Sequence, residues 1–308
     1  MPTLALKLAL TPALIAAASL AGRRWGPAIS GWLVGLPFTS GPIAFFLALA
    51  HGSSFAAAAA IGTLAGALSQ AAFCLAYAWL AARLRSQGAW PVAFAVGALA
   101  FAAATVLLAR WPLALAPLIP AVFVGLLLAL WLMPSRGKAD ESALRGELAR
   151  GAQADESAPK RLWRQSPPAR AESGVMLSRA QEVDGGTRRE PDAPPWWDLP
   201  LRMVVATAFV VLLTALAPLL GAQLTGLLAP FPLFASVLAV FAHVQRGPAA
   251  AAGVLRGLLL GLFSFAGFFI MLALLLVHSG IVLAFAAAIV AALSVQGGTL
   301  WLLRARSG

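Results

Sequence analysis

Long unbroken apolar runs, rather than alternating ones, organise this chain. Nine of them reach roughly the 20 residues an α-helix needs to cross a bilayer: 3–22, 27–50, 54–83, 90–110, 112–133, 200–219, 222–244, 250–277 and 280–303. The first run is read as a retained span rather than a cleaved leader, because Arg23 and Arg24 follow it and no basic segment precedes it. The pattern predicts an all-α, polytopic transmembrane helical bundle.

One stretch breaks the pattern. Residues 134–198 are polar and rich in Pro, Gly and Ser. Such a segment has too little apolar surface to offset the entropy of ordering, and a disordered linker is expected, with a short helix near Ser142–Arg150. Its end, Trp196 and Trp197, suits the headgroup level of a membrane. The chain therefore divides into a first transmembrane part (1–133), the linker (134–198) and a second transmembrane part (199–308).

Composition agrees and adds an orientation. Hydrophobic residues make up 61% of the chain and charged ones 11%, less than half the share usual in soluble domains. The net charge of +11 would suggest nucleic acid, but its distribution excludes that reading. All 11 acidic residues lie within 134–198, where as many basic residues balance them. The excess comes from basic residues beside apolar runs, which is an orientation signal. Arg23, Arg24, Arg83, Arg85, Arg246, Arg304 and Arg306 follow the first, third, seventh and ninth runs, with Lys7 and Arg110 as exceptions. The N-terminus is then outside, and the linker and C-terminus are cytoplasmic. Cys74 has no partner cysteine in the chain and reads as a small buried apolar residue.

Residues 25–75 align with 220–270 at a constant offset of 195, with 15 of 51 positions identical, where chance composition gives roughly six. Gly26, Gly31, Gly52, Gly62 and Gly66 fall on Gly221, Gly226, Gly247, Gly257 and Gly261; Pro37 falls on Pro232, Ser69 on Ser264 and Phe73 on Phe268. Five expected spans separate the starts of the two copies, so they enter the membrane in opposite directions. The sequence thus predicts two inverted repeats of about four helices, joined by an extra helix and the linker. Such architecture recurs in secondary transporters.

Candidate chemistry lies where the two copies break. Pro37 and Pro42 bracket Thr39, Ser40 and Gly41, and the second copy carries Pro230 and Pro232. Each proline frees a carbonyl four residues earlier, here those of Leu33, Phe38, Gly226 and Leu228, which in a membrane must face protein or a wet cavity. The alternative is a pair of kinks that only shape packing. The glycine stripes of 62/66 and 257/261 read as packing faces. Arg256 lies within an expected span and is either an anion ligand or a snorkelling side chain. His243, beside Arg246, reads as interfacial, and Gln70 and Gln296 as neutral hydrogen-bonding groups. No Asp or Glu falls in any expected span and Asn is absent from the chain. This disfavours carboxylate-based cation coupling and favours a small anionic or amphipathic substrate. No pair of membrane aspartates and no HExxH motif occurs, and a Ser40–His243 dyad has only its residue types to recommend it. No catalytic residue, metal or cofactor is expected.

The segments GWLVGLPFTSGPIAFFLALAHG and GLLAPFPLFASVLAVFAHVQRG resemble the signature of small bacterial GlpM-like membrane proteins: glycine, an apolar stretch, a central Phe-Pro, then His or a polar residue before glycine. Only the second copy keeps the phenylalanine, Phe231, ahead of the proline. The resemblance implies a fused tandem of such a unit in a bacterial inner membrane. The function expected is transport, with a scaffold or accessory role in envelope or exopolysaccharide assembly as the alternative.

Overall fold

The computed structural model describes residues 12, 13, 16, 37–134 and 198–305. Seven α-helices follow in order: α1 Ser40–His51, α2 Ser53–Leu84, α3 Trp90–Ala109, α4 Leu115–Leu132, α5 Asp198–Leu228, α6 Leu233–Arg246 and α7 Pro248–Ala305. No strand occurs among the described residues. Five of these helices, α2, α3, α4, α5 and α7, are long and apolar enough to cross a membrane.

The expected spans map unevenly onto this set. All of span 3–22 but residues 12, 13 and 16, most of linker 134–198 including Trp196 and Trp197, and 27–36 of the second span lie outside the described residues. The rest of that second span is α1, 12 residues long. The expected 222–244 is not one helix. It breaks at 229–232, leaving seven helical residues at the end of α5 and the 14 of α6. At 1.5 Å per residue α6 extends about 21 Å, short of the roughly 30 Å hydrocarbon core. The expected 250–277 and 280–303 form α7, which folds at Gly280.

Four glycines make the sharp turns. Gly52, Gly221, Gly247 and Gly280 share φ between 75 and 88° and ψ between 166 and 179°, a region open in practice only to glycine. Gly52 and Gly247 stand at the offset of 195. Each donates its N–H four residues back, to Ala48 O (3.1 Å) and His243 O (2.9 Å), and accepts from four residues ahead, Ala56 and Ala251. Each starts a helix of equal length, α2 and the 248–279 arm of α7. Nothing lies within 4 Å of a Cβ built on Gly52 or Gly247, so alanine there costs conformational energy without a clash. Gly247→Ala and Gly52→Ala are each expected to destabilise by about 1–3 kcal/mol, read as a lower melting temperature in detergent.

Helices joined by one residue and packed on each other run antiparallel, as do α1 with α2 and α6 with α7. Side-chain contacts fix the remaining directions. Gly226 meets α2 at Ala59 and Thr63, while His243 meets it at Tyr77. Segment 222–246 therefore runs parallel to α2, and 248–279, which reverses at Gly247, runs against it. Helix α3 returns along α2, with Gly97 against the Phe73 ring and Thr105 bonded to Ser69 at 3.0 Å. The last arm of α7 does the same on 248–279, through Ser264 to Ala292 O at 2.8 Å and the Phe268–Phe285 ring pair.

Helix α2 is central: 72% of its most apolar stretch is buried, against 22% for α3 and for α4. Those two present Leu99, Leu107, Leu127 and Trp131 outward, as lipid-facing helices do. The described helices before and after residues 135–198 form one compact unit.

Candidate functional site

The two proline breaks meet. Helix α1 begins at Ser40, directly after Pro37–Thr39, and the buried Ser40 hydroxyl donates to the Ala229 carbonyl at 2.9 Å. Ala229 opens the second break. Its N–H is shared between the carbonyls of Thr225 and Gly226 (3.1 Å each), Phe231 N–H reaches Leu228 O at 3.1 Å, Leu233 N–H reaches Phe231 O at 2.8 Å, and Ser236 N–H reaches Pro232 O at 2.7 Å. The freed carbonyls expected at Gly226 and Leu228 are therefore reused by tighter turns, because the chain shortens its hydrogen-bond step once proline stops the helix. The carbonyl taken from outside is that of Ala229. On the first side, Gly41 N–H bonds Pro37 O at 2.8 Å, and Phe38 O has no donor four residues on because Pro42 lacks one. Leu33 lies outside the described residues.

Of the expected site residues, Ser40, Gly41, Pro42, Pro230 and Pro232 are buried and Pro37 and Thr39 half-buried. A methyl on Gly41 would stand 3.9 Å from the Phe268 ring. Arg256 is the exception. It is half-buried and makes no hydrogen bond or ion pair with a described residue. It lies twelve residues before Phe268 on the same straight arm, about 18 Å along the axis. The structure does not bring it to the breaks, since helix rise alone carries it toward the Gly247 end. Ser40→Ala removes one buried bond and is expected to cost about 1 kcal/mol, measured by thermal unfolding.

The glycine stripe holds the second break against α2. A methyl on Gly62 would stand against the Gln223 carbonyl, and one on Gly66 against Pro230 and, at 2.7 Å, Leu227 O. Backbones approach this closely only where side chains are absent.

His243, expected near the membrane interface beside Arg246, packs into the bundle close to the end of α6. It is fully buried. Its Nε2 lies 3.0 Å from Ser86 O and its Nδ1 3.0 Å from the Tyr77 hydroxyl. A carbonyl only accepts, so Nε2 carries the hydrogen, and in that tautomer Nδ1 accepts from the Tyr77 hydroxyl. With Ser40 committed to Ala229 and His243 to these two partners, no Ser40–His243 dyad forms. Sequence reasoning placed His243 by its distance from the end of an apolar run. The overlooked signal was Tyr77, the one tyrosine in the chain. Gln223 was also missed; it ties the start of 222–228 to the end of α3 by Nε2 to Trp111 O at 2.9 Å.

The sequence of this chain matches no protein-family model and no curated protein, and its fold matches no solved structure.

Thr63 and Thr225 bond carbonyls of their own helices, at Ala59 and Gly221, which satisfies them without a partner helix. Among the described residues no three His, Cys, Asp or Glu come together in a group that could hold a metal ion. The polar inventory at the breaks is thus hydroxyl, amide and backbone, with two helix N-termini, of α1 and α6, neither with a side-chain cap.

Proposed function

We propose that this protein is a transporter of the inverted-repeat type for a small anionic or amphipathic substrate, working by movement of one half against the other about Pro37 and Pro232. The carrying observation is the buried Ser40–Ala229 hydrogen bond, which joins the two proline breaks. Support for the inverted relation comes from Gly52 and Gly247, equivalent at the offset of 195 in conformation and bonding, and from the opposite courses of α2 and 248–279. Helix N-termini carry partial positive charge, and two of them converging where no carboxylate competes favours an anion. On this reading the chain is a fused tandem of a GlpM-like unit in a bacterial inner membrane, with its N-terminus outside and the linker and C-terminus cytoplasmic.

The close backbone crossing at Gly62, Gly66 and Gly226 favours a second reading, a rigid scaffold or accessory subunit for envelope assembly. Flux separates the two. Proteoliposomes are expected to take up at least one small organic anion and no organic cation. Absence of any flux favours the scaffold, and cation uptake that survives Arg256→Ala and Arg202→Ala removes the anion reading.

A further inference from the structure

Gln70 is 6% exposed, yet its amide makes no hydrogen bond with any described residue. The amide atoms are not fully sealed from solvent, so they stay open to water or a ligand. Its direction follows from helix geometry. At about 100° per residue, Gln70 shares one face of α2 with Ala59, Thr63, Gly66 and Tyr77. All four meet 222–246: Ala59 and Thr63 at Gly226, Gly66 at Pro230, and Tyr77 at His243. Gln70, one turn beyond Gly66, faces the break where 222–228 ends and α6 begins.

Helix α3 gives the same depth independently. Its contacts Thr105–Ser69 and Gly97–Phe73 bracket Phe101, level with Gln70, and Phe101 packs edge-on to Phe231 with ring centroids 5.1 Å apart. Phe231 lies inside the break, two residues before the uncapped start of α6. An amide, the amino end of a 14-residue helix and an aromatic ring thus occupy one level. At the offset of 195 the face Thr63, Gln70, Tyr77 becomes Leu258, Phe265, Leu272, so a polar residue is not a packing requirement at this position.

We propose that Gln70 and the N-terminus of α6 form a subsite for the carboxylate of a small monovalent acid whose apolar part lies against Phe231. The Gln70 Nε2–H donates to the carboxylate, and the N–H groups of Phe234 and Ala235 supply the rest, those of Leu233 and Ser236 being held by Phe231 and Pro232. A helix terminus offers about half an elementary charge, which suits one negative charge. A doubly charged phosphate calls for Arg or Lys, and Arg256 makes no bond to any described residue at this level. The transport of this ligand rests on the reading above; its binding does not.

The test is calorimetric titration of the full chain in nanodiscs with benzoate, and with benzylamine and inorganic phosphate for comparison. Benzoate is expected to bind more tightly than either. Gln70→Leu is expected to weaken it about tenfold or more, with no loss of melting temperature, and Gln70→Glu to abolish it by repulsion. Gln70→Met serves as a near-isosteric second variant should the leucine form fail to fold. Undetectable benzoate binding, equal affinity in the wild type and a folded Gln70 variant, or tighter binding of phosphate or benzylamine would overturn the subsite. Binding that depends on Gln70 without benzoate uptake into proteoliposomes leaves the subsite standing and removes transport of that acid. Uptake indifferent to Gln70 does the reverse.

Discussion

Gly226→Ala is expected to destabilise the protein by about 3 kcal/mol, or to prevent folding. The new methyl would stand against the Ala59 carbonyl and 2.9 Å from the Thr63 nitrogen. Both obstacles are backbone, so neither can rotate away, and relief requires pushing 222–228 off α2. That movement would also disturb the neighbouring contacts of Gly62 and Gly66. Gly257→Ala is the control. That glycine is exposed, with nothing within 4 Å of its Cβ position, and alanine in a helix interior is favoured by up to about 1 kcal/mol. Thermal unfolding in detergent should show a large drop for Gly226→Ala and none for Gly257→Ala. Matching melting temperatures would mean that the crossing is not this close.

His243→Leu is expected to cost about 2 kcal/mol, because it strands the buried Tyr77 hydroxyl at about 1–3 kcal/mol, while the carbonyl of exposed Ser86 can turn to solvent. Tyr77→Phe removes one bond and should cost about 1–2 kcal/mol. If the two side chains act as a pair, the double variant loses less than the sum of the singles, by on the order of 1 kcal/mol. Strict additivity in a denaturation series would show that the ring and the hydroxyl do not interact. The network has a structural consequence as well: it ties the end of α6 to the turn after α2, at one end of the bundle only, since the positions 195 residues away from His243 and Tyr77 are Ala48 and Leu272.

Much of the helix plan was legible because apolar length is a strong signal. The expected 54–83 and 90–110 differ by a residue or so from α2 and α3, and the line through Gly52 and Gly247 marked two real turns. Hydropathy could not show that 222–244 is broken, because Pro230 and Pro232 sit in a run as apolar as a continuous span. The gaps it left between 200–219 and 222–244 and between 250–277 and 280–303 do fall at or beside the turns of Gly221 and Gly280. At the site, the prolines and Ser40 were visible as irregularities within apolar runs. The partner of Ser40, a backbone carbonyl 189 residues away, has no side-chain signature. Arg256 stood out for its charge, and charge alone says nothing of distance along an axis. Gln70 and His243 depend on which face of α2 meets which part of 222–246, information that exists only once the helices are packed.

The opposed insertion of the two halves is tested most directly by sided labelling. In a Cys74→Ser background, which removes the chain's one cysteine, single cysteines replace Ser54 beside the Gly52 turn and Arg246 beside the Gly247 turn. A membrane-impermeant maleimide applied to intact cells should label position 54 and spare 246 until the membrane is opened. Labelling of both positions from the same side would contradict it.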